Sequence, residues 1–136
     1  MRIDAPAKIN LGLEVVRKRP DGYHDIRTLF QEISLADVLE IEALPARRIE
    51  LEGDDPSIPW DETNLVLRAA RALQDSTGSG LGAALRVTKR IPAGGGLGGG
   101  SSDAAAALAG LNEVWKTGLG RDDLADLGRR LGADVP

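Results

Sequence analysis

Hydrophobic and polar residues alternate along the first third of the chain, as in strands that bury one face. A strand is predicted from Ile3 to Val16, and the turn Arg19-Pro20-Asp21-Gly22 ends it. The two faces of this strand carry different residues, with Ile9, Leu11 and Leu13 on one and Lys8, Asn10 and Gly12 on the other. Three more strands are predicted further on, at Thr28–Ser34, Val38–Leu44 and Arg47–Glu52.

Helical spacing replaces this alternation in the second half of the chain. Thr63 or Asn64 is the predicted N-cap of a helix that runs to about Asp75. The remaining predicted elements are a loop at Gly78–Gly82, a strand at Ala83–Arg90, and helices at Ser102–Trp115 and Asp122–Leu131, the last stopped by Gly132. Strands followed by a mixture of strands and helices predict an α+β fold with helices packed on a mixed β-sheet.

The composition is that of one globular domain, since 136 residues with 42% hydrophobic and 28% charged side chains can bury a core. A net charge of -4 without a basic patch argues against general binding to nucleic acid or to an anionic membrane. The lack of cysteine and the single histidine exclude disulfides, thiolate catalysis and zinc sites built from Cys or clustered His. No apolar run has the length of a signal peptide or membrane span, and we expect a cytoplasmic location.

Residues 94–100 include six glycines and precede Ser101, Ser102, Asp103 and a run of alanines. Glycine lets a backbone approach a ligand closely, and a helix N-terminus attracts phosphate through its free N–H groups and its dipole. The segment therefore predicts a nucleotide-phosphate loop, with a flexible connector as the alternative. Ser101 and Ser102 either donate hydroxyl hydrogen bonds to phosphate or cap the helix, and Asp103 is expected to be a favourable charge in the first turn.

Three common phosphate loops do not fit this segment. A Walker loop needs a lysine after its last glycine, and Gly100 is followed by two serines. A dinucleotide-binding turn needs an acidic residue about 20 positions further on, and the available Glu113 lies inside the predicted helix. The glycine-rich loop of protein kinases lies between two strands, whereas this one precedes an alanine-rich helix.

Four segments, in order along the chain, resemble the motifs of the GHMP kinase superfamily. They are Pro6–Leu11, Arg19–His24, the glycine segment Pro92–Ser102 and Leu131–Pro136. Their combination is similar to the branch of the superfamily that phosphorylates 4-diphosphocytidyl-2-C-methyl-D-erythritol, an intermediate of non-mevalonate isoprenoid (terpenoid) biosynthesis. The resemblance implies a ribosomal protein S5 domain 2-like fold with the glycine-rich phosphate loop at a helix N-terminus.

The resemblance assigns roles to residues that are ordinary by themselves. Asp134, otherwise a turn residue, would accept the proton of the substrate hydroxyl, and Lys8 would orient that hydroxyl and offset developing charge. Tyr23 would stack on cytosine, His24 would bind its edge, and Asn10 would contact the same substrate. ATP and Mg²⁺ are the implied cofactors, with no metal ligand assigned. The implied ATP contacts are Asn64, Lys89, Pro92, Ala93, Gly94, Gly95, Gly96, Leu97, Gly98, Gly99, Gly100, Ser101 and Ser102.

The superfamily has two domains with the active site between them, and the resemblance implies that residues 1–136 are the N-terminal ATP-binding domain. The C-terminal GHMP domain is absent from these residues, so we expect the chain to turn over poorly by itself. The implied partner is the small-molecule cytidyl diphosphate methylerythritol substrate, without nucleic acid or membrane. Two alternatives stay open: another GHMP kinase acting on a different alcohol, and a non-catalytic nucleotide-binding domain.

Overall fold

Four strands and three helices form the computed structural model, which describes all of residues 1–136. In chain order they are β1 (Arg2–Lys18), β2 (His24–Leu44), β3 (Ile49–Gly53), α1 (Leu65–Thr77), β4 (Gly82–Thr88), α2 (Gly99–Val114) and α3 (Arg121–Leu131). None of the helices combines the length and the apolar character that crossing a bilayer requires.

The strands form one mixed sheet in the order β1-β2-β4-β3. β1 pairs antiparallel with β2, and β2 pairs antiparallel with β4. β3 pairs parallel with β4, and α1 makes the crossover connection between them. The mixed sheet and its helices confirm the predicted α+β class.

The core lies between the helices and one face of the sheet. Alternate residues of the central strands, such as Leu39 and Ile41 on β2 and Leu85 and Val87 on β4, are buried there. Small residues let α2 approach the sheet closely, because a side chain at Gly110 would start 2.3 Å from Cδ1 of Ile41. One hydrophobic cluster of 18 buried residues includes residues from all three helices.

β1 and β2 form a long hairpin, and here two predictions were wrong. The segments Thr28–Ser34 and Val38–Leu44 belong to one continuous strand, which stays paired with β1 on both sides of a register shift between Glu32 and Ala36. The register of β1 also shifts between Asn10 and Gly12, where Leu11 is an extra residue. Leu13 therefore lies on the same face as Lys8 and Asn10, instead of the opposite one.

The helix boundaries differ from the predictions at one functional position. Of the two residues predicted to cap α1, Asn64 is the N-cap. Its side chain accepts a 2.9 Å hydrogen bond from the amide of Val66. By contrast, α2 begins at Gly99 rather than at Ser102, and its N-cap is Gly98. The alternative in which Ser101 or Ser102 caps this helix is wrong, because the last glycines of the loop already form the first helical turn.

Candidate active site

The glycine loop connects β4 to α2 and ends in a conformation that glycine favours. Gly98 has φ 73°, and a Cβ there would lie 3.1 Å from side-chain carbons of Lys8. No side chain caps α2, so its first free N–H groups stay available to an anion. The loop thus has the geometry predicted for phosphate binding.

A cavity of about 310 Å³ lies over this loop. Its lining includes residues 92–100 of the loop, together with Asn64 and Lys89. Asn64 is far from the loop in the sequence, whereas Lys89 lies just before it. The structure therefore brings together most of the predicted ATP contacts. Ser101 and Ser102 are the exceptions, because they lie half-buried in the first turns of α2 outside the lining.

The opposite wall of this cavity was not predicted. Ile58, Pro59 and Trp60 form it, in the segment that leads into α1. Trp60 is held against Gly53, where a Cβ would overlap its ring at 2.0 Å, and its Nε1 donates to the backbone oxygen of Asp55 at 2.9 Å. The available signal was a rare tryptophan four residues before a helix cap, although nothing local links it to the glycine loop.

Beneath the loop lies a buried cluster of three charges, Asp37, Lys89 and Asp103, here called the charge triad. Nζ of Lys89 donates to Oδ2 of Asp37 and, at 2.7 Å, to Oδ2 of Asp103. The other Asp37 oxygen, Oδ1, accepts from the backbone amides of Arg90 and Ile91 at 2.5 and 2.8 Å. These bonds take the backbone out of the sheet, so β4 ends at Thr88 rather than at the predicted Arg90.

The triad corrects the expectation for Asp103, which is buried instead of being a solvated charge of the first turn. Burial raises the pKa of Asp103 to about 6, although its hydrogen bond to Lys89 acts in the opposite direction. Burial lowers the pKa of Lys89, but its bonds to the two carboxylates outweigh this and leave that pKa raised. The ammonium of Lys89 is already bonded to Asp37 and Asp103. Its predicted contact with ATP stays a prediction.

The two residues predicted to be catalytic lie beside the loop. Nζ of Lys8 is 4.0 Å from Oδ2 of Asp134 and donates to Oδ1 of Asn10 at 3.3 Å. The backbone amide of Lys8 donates to the oxygen of Leu97 at 3.0 Å, which fixes β1 to the loop. Val135, 3% exposed, anchors the segment that carries Asp134. Lys8, Asn10 and Asp134 therefore form one cluster at the edge of the glycine loop.

The predicted cytosine contacts lie at the far end of the hairpin. Asn10 pairs with Phe30 and Lys18 pairs with His24, so His24 shares the face of Lys8 and Asn10. Phe30 lies six positions after His24 in β2, a length of roughly 20 Å at the usual rise per residue. Apolar side chains lie between the two ends of this face: Leu13, Val15, Ile26 and Phe30. Tyr23, in the turn, is 74% exposed.

Phe30 was not predicted as a site residue. Its ring centroid lies 4.8 Å from Nζ of Lys8, a distance at which an ammonium is attracted to the face of an aromatic ring. Phe30 therefore helps to hold the lysine between the hairpin and the loop. The sequence could have indicated this contact only through the pairing of Phe30 with Asn10, two residues after Lys8 on β1.

A larger depression of about 920 Å³ lies elsewhere on the sheet. Its charged lining is mostly acidic, with Glu40, Glu42, Glu50 and Glu52 against Arg2 and Arg86. Arg86 is paired with Glu52, with 2.5 Å between Nη2 and Oε1. This excess of carboxylates disfavours a phosphate ligand, so the smaller cavity over the glycine loop is the candidate nucleotide site.

No group of three or more His, Cys, Asp or Glu side chains is arranged to hold a metal ion. Mg²⁺ bound with a nucleotide usually keeps phosphate oxygens and waters as ligands and needs few carboxylates. The residues around the glycine loop therefore fit a metal that is held by the phosphates of the nucleotide. They do not form a separate metal site of the protein.

The fold and this cavity define an α+β domain with a glycine-lined cavity at the N-terminus of α2. Residues 64–136 match the family described as GHMP kinases N terminal domain, and the chain belongs to the GHMP kinase family. It is 50% identical over 132 residues to the 4-diphosphocytidyl-2-C-methyl-D-erythritol kinase of Shewanella woodyi, covering 97% of this chain and 46% of that protein. The protein of the same name from Alcanivorax borkumensis is 50% identical over 140 residues, covering 100% and 46%. The chain thus spans about half the length of the curated relatives it matches.

Solved structures show the same fold. A 4-(cytidine 5'-diphospho)-2C-methyl-D-erythritol kinase superposes with a TM-score of 0.87 at 43% identity, covering 100% of this chain and 47% of that one. The mevalonate kinase of Methanococcus jannaschii superposes with a TM-score of 0.74 at 20% identity, covering 99% and 46%. At that identity the second similarity concerns the fold alone.

Proposed function

We propose that residues 1–136 are the ATP-binding N-terminal domain of a kinase that acts on 4-diphosphocytidyl-2-C-methyl-D-erythritol. The γ-phosphate of MgATP is transferred to the 2-hydroxyl of this substrate, as one step of isoprenoid biosynthesis. The C-terminal half of the active site belongs to a second domain outside these residues. A cytoplasmic location stays a prediction.

The observation that carries the proposal is the contact between the glycine loop and the Lys8–Asp134 pair. Since Leu97 of the loop accepts from the amide of Lys8, phosphates bound at the loop lie beside this pair. Phosphoryl transfer depends mainly on positioning and on charge stabilisation, which such an arrangement supplies.

The proposed chemistry uses each member of the pair once. Asp134 accepts the proton of the substrate hydroxyl while that oxygen forms a bond to the γ-phosphorus, and the bond to the β-phosphate oxygen breaks to release ADP. The ammonium of Lys8 orients the hydroxyl and offsets the charge that develops on the transferred group. Mg²⁺ held by the phosphates of ATP would offset part of their negative charge beside the glycine loop.

The length of the hairpin face supports a cytidyl substrate. Lys8 and Asn10 lie at one end of this face and His24 at the other, with apolar side chains between them. Only an extended molecule, with a base at one end and a hydroxyl at the other, can contact both ends. An alcohol the size of mevalonate or homoserine would reach only the Lys8 end.

A thermal melt of this chain with and without MgATP tests the nucleotide site. A ligand at about 100 times its dissociation constant stabilises a folded protein by about 2.7 kcal/mol, so the melting temperature should rise clearly. The matched variants are Gly98→Ala and Gly118→Ala, whose glycines have φ 73° and 74°. A Cβ at Gly98 would press on Lys8, whereas a Cβ at Gly118 meets nothing within 4 Å.

Both variants strain the backbone alike, so only Gly98→Ala should lose the shift caused by MgATP. An unchanged melting temperature of the wild-type chain with MgATP would contradict the proposed nucleotide site. Equal shifts in the two variants would mean that MgATP binds away from the loop.

The substrate is tested in a protein extended to the length of the relatives. We expect phosphorylation of the cytidyl substrate and little phosphorylation of mevalonate or homoserine. A preference for either smaller alcohol would support another GHMP kinase activity instead. MgATP binding without transfer to any of the three would support a non-catalytic nucleotide-binding domain.

A further inference from the structure

The charge triad connects the two ends of the glycine loop to the sheet. At the entry of the loop, Oδ1 of Asp37 accepts from the backbone amides of Arg90 and Ile91. At its exit, Asp103 in the second turn of α2 accepts from Lys89, whose ammonium also binds Asp37. Both ends therefore depend on one buried side chain of β2.

Packing ties the same group to the first residue of α2. A Cβ on Gly99 would lie 3.4 Å from Oδ2 of Asp37 and 3.0 Å from Cγ2 of Ile91, so the helix start rests directly on the triad. The side chains of Asp37, Lys89 and Asp103 are 0%, 7% and 5% exposed. Water cannot replace bonds that are this deeply buried at low cost.

The triad contains two carboxylates and only one ammonium. An excess of buried negative charge does not stabilise the folded domain. Oδ1 of Asp103 is buried without a hydrogen-bond partner. Lys89 and Asp103 are the two charged residues in the lining of the nucleotide cavity. A carboxylate kept beneath a phosphate site, with one oxygen unsatisfied, calls for an explanation beyond packing.

We propose that Asp37, Lys89 and Asp103 form a clamp that holds the glycine loop and the start of α2 in the geometry that binds a nucleotide. Asp37 fixes the loop entry, Lys89 connects the two carboxylates, and Asp103 fixes the exit. All three are positioning residues, since their effect on the nucleotide passes through the loop backbone. The consequence for binding depends on the proposed function, whereas the effect on the loop itself does not.

The two carboxylates differ in what an amide can replace. In Asp103→Asn the side-chain oxygen can still accept from Lys89, and the NH₂ group takes the place of the unsatisfied Oδ1. In Asp37→Asn only one oxygen remains for Lys89 and for the two backbone amides, because the NH₂ group cannot accept. The clamp therefore tolerates asparagine at position 103 and loses one of its connections with asparagine at position 37.

Hydrogen exchange of the wild-type chain and its variants, without ligand, tests the clamp. Asp103→Ala leaves Lys89 paired with Asp37, so we expect the domain to stay folded while the first hydrogen-bonded amides of α2, residues 102–105, exchange at least about tenfold faster. Asp103→Asn should restore slow exchange. The matched control is Asp123→Ala, which removes a carboxylate from the first turn of α3 and leaves the loop untouched.

MgADP affinity is measured on the same proteins. Asp103→Ala should weaken binding at least about tenfold, and Asp103→Asn should bind as tightly as the wild type or tighter, since a negative charge near the phosphates is gone. If exchange at residues 102–105 is the same in Asp103→Ala as in the wild type, the clamp is overturned. A loss of protection in Asp103→Asn, or an equal loss in Asp123→Ala, would also overturn it.

Asp37→Ala gives a second, independent measurement, because it removes the one oxygen that accepts from both backbone amides, whereas the oxygen of asparagine can still serve them. It should speed exchange selectively at Arg90 and Ile91, and unchanged exchange at these two amides would also refute the clamp.

Nucleotide binding separates the two proposals. If the wild type binds no MgADP while the exchange results follow the clamp, the proposed function fails and the clamp stands. If MgADP binds and Asp103→Ala changes neither exchange nor affinity, the clamp fails and the function stands.

Discussion

The two halves of the long β1–β2 hairpin differ in what covers them. The half that contains Ala5 and Leu39 is buried under the helices and adjoins the glycine loop. The other half extends beyond the helices, and eight of the ten large hydrophobic side chains that stay exposed lie between Leu11 and Phe30. The proposed nucleotide site is thus enclosed by contacts within the chain. The proposed substrate site is bounded on one side by the hairpin and is open on the other. From this contrast we expect the chain to bind MgATP yet to transfer phosphate poorly by itself.

The largest expected effect concerns the residues where the two halves meet. In a protein of the relatives' length, Lys8→Ala or Asp134→Asn should lower kcat by about 10²–10⁴-fold, the range for a positioned proton-transfer group. MgATP affinity should stay within about threefold of the wild type, because phosphate binds mainly to the loop backbone. Steady-state kinetics and nucleotide titration measure the two quantities. An unchanged kcat in both variants would remove the pair from the catalytic machinery.

Truncating one leucine in each half of the hairpin tests the contrast itself. Leu39→Ala should lower the free energy of unfolding by about 2–5 kcal/mol, because Leu39 is fully buried. Leu13→Ala should change it by no more than about 0.5 kcal/mol, because Leu13 is 57% exposed. Urea denaturation of both variants measures the difference. Similar losses would mean that the outer half of the hairpin is covered in solution, for example by a second copy of the chain.

The pH dependence of stability tests the burial of Asp103. Its folded-state pKa of about 6 lies above the ordinary 3.8, so the folded state binds the proton more tightly than the unfolded state does. The wild type should therefore lose up to about 3 kcal/mol relative to Asp103→Asn as the pH rises from 4 to 6, and the difference should be constant above that range.

Denaturant titrations of both proteins across this range measure that difference. The lowered pKa values of Asp55 and Asp61, held by hydrogen bonds from Ser57 and Thr63, give stability that is lost as the pH falls. They are common to both proteins, so only the difference between the two curves reports on Asp103. Parallel curves from pH 4 to 7 would show that Asp103 is solvated.

The smallest expected effect is at the far end of the outer half. Tyr23→Ala should weaken binding of the cytidyl substrate by about 1–3 kcal/mol, the usual contribution of a stacked base, and leave MgATP binding unchanged. The measurement is the KM for each substrate in the extended protein. The conservative variant Tyr23→Phe keeps the ring and should bind nearly as the wild type. If Tyr23→Ala retains the wild-type KM, the cytosine lies elsewhere.

Local sequence determined the elements whose causes are local. The glycine run with its positive-φ N-cap, the Asn64 cap and the turn at Gly22 all follow from side chains within a few residues of each other. The alternation in β1 and β2 and the helical spacing of α1–α3 gave the class of fold for the same reason. The proximity of Lys8 and Asp134 followed from the family resemblance rather than from spacing, and their catalytic roles stay predictions.

Tertiary structure alone decided the features that join distant segments. The extra residue at Leu11 depends on pairing with β2, and it moved Leu13 to the face of Lys8. Asp37 binds Lys89 across 52 positions of the chain, so its role has no local signature beyond being in phase with the buried Leu39. Periodicity shows which face a residue shares with its sequence neighbours. Which distant group it meets on that face is set by register and packing between elements, and these depend on the whole fold.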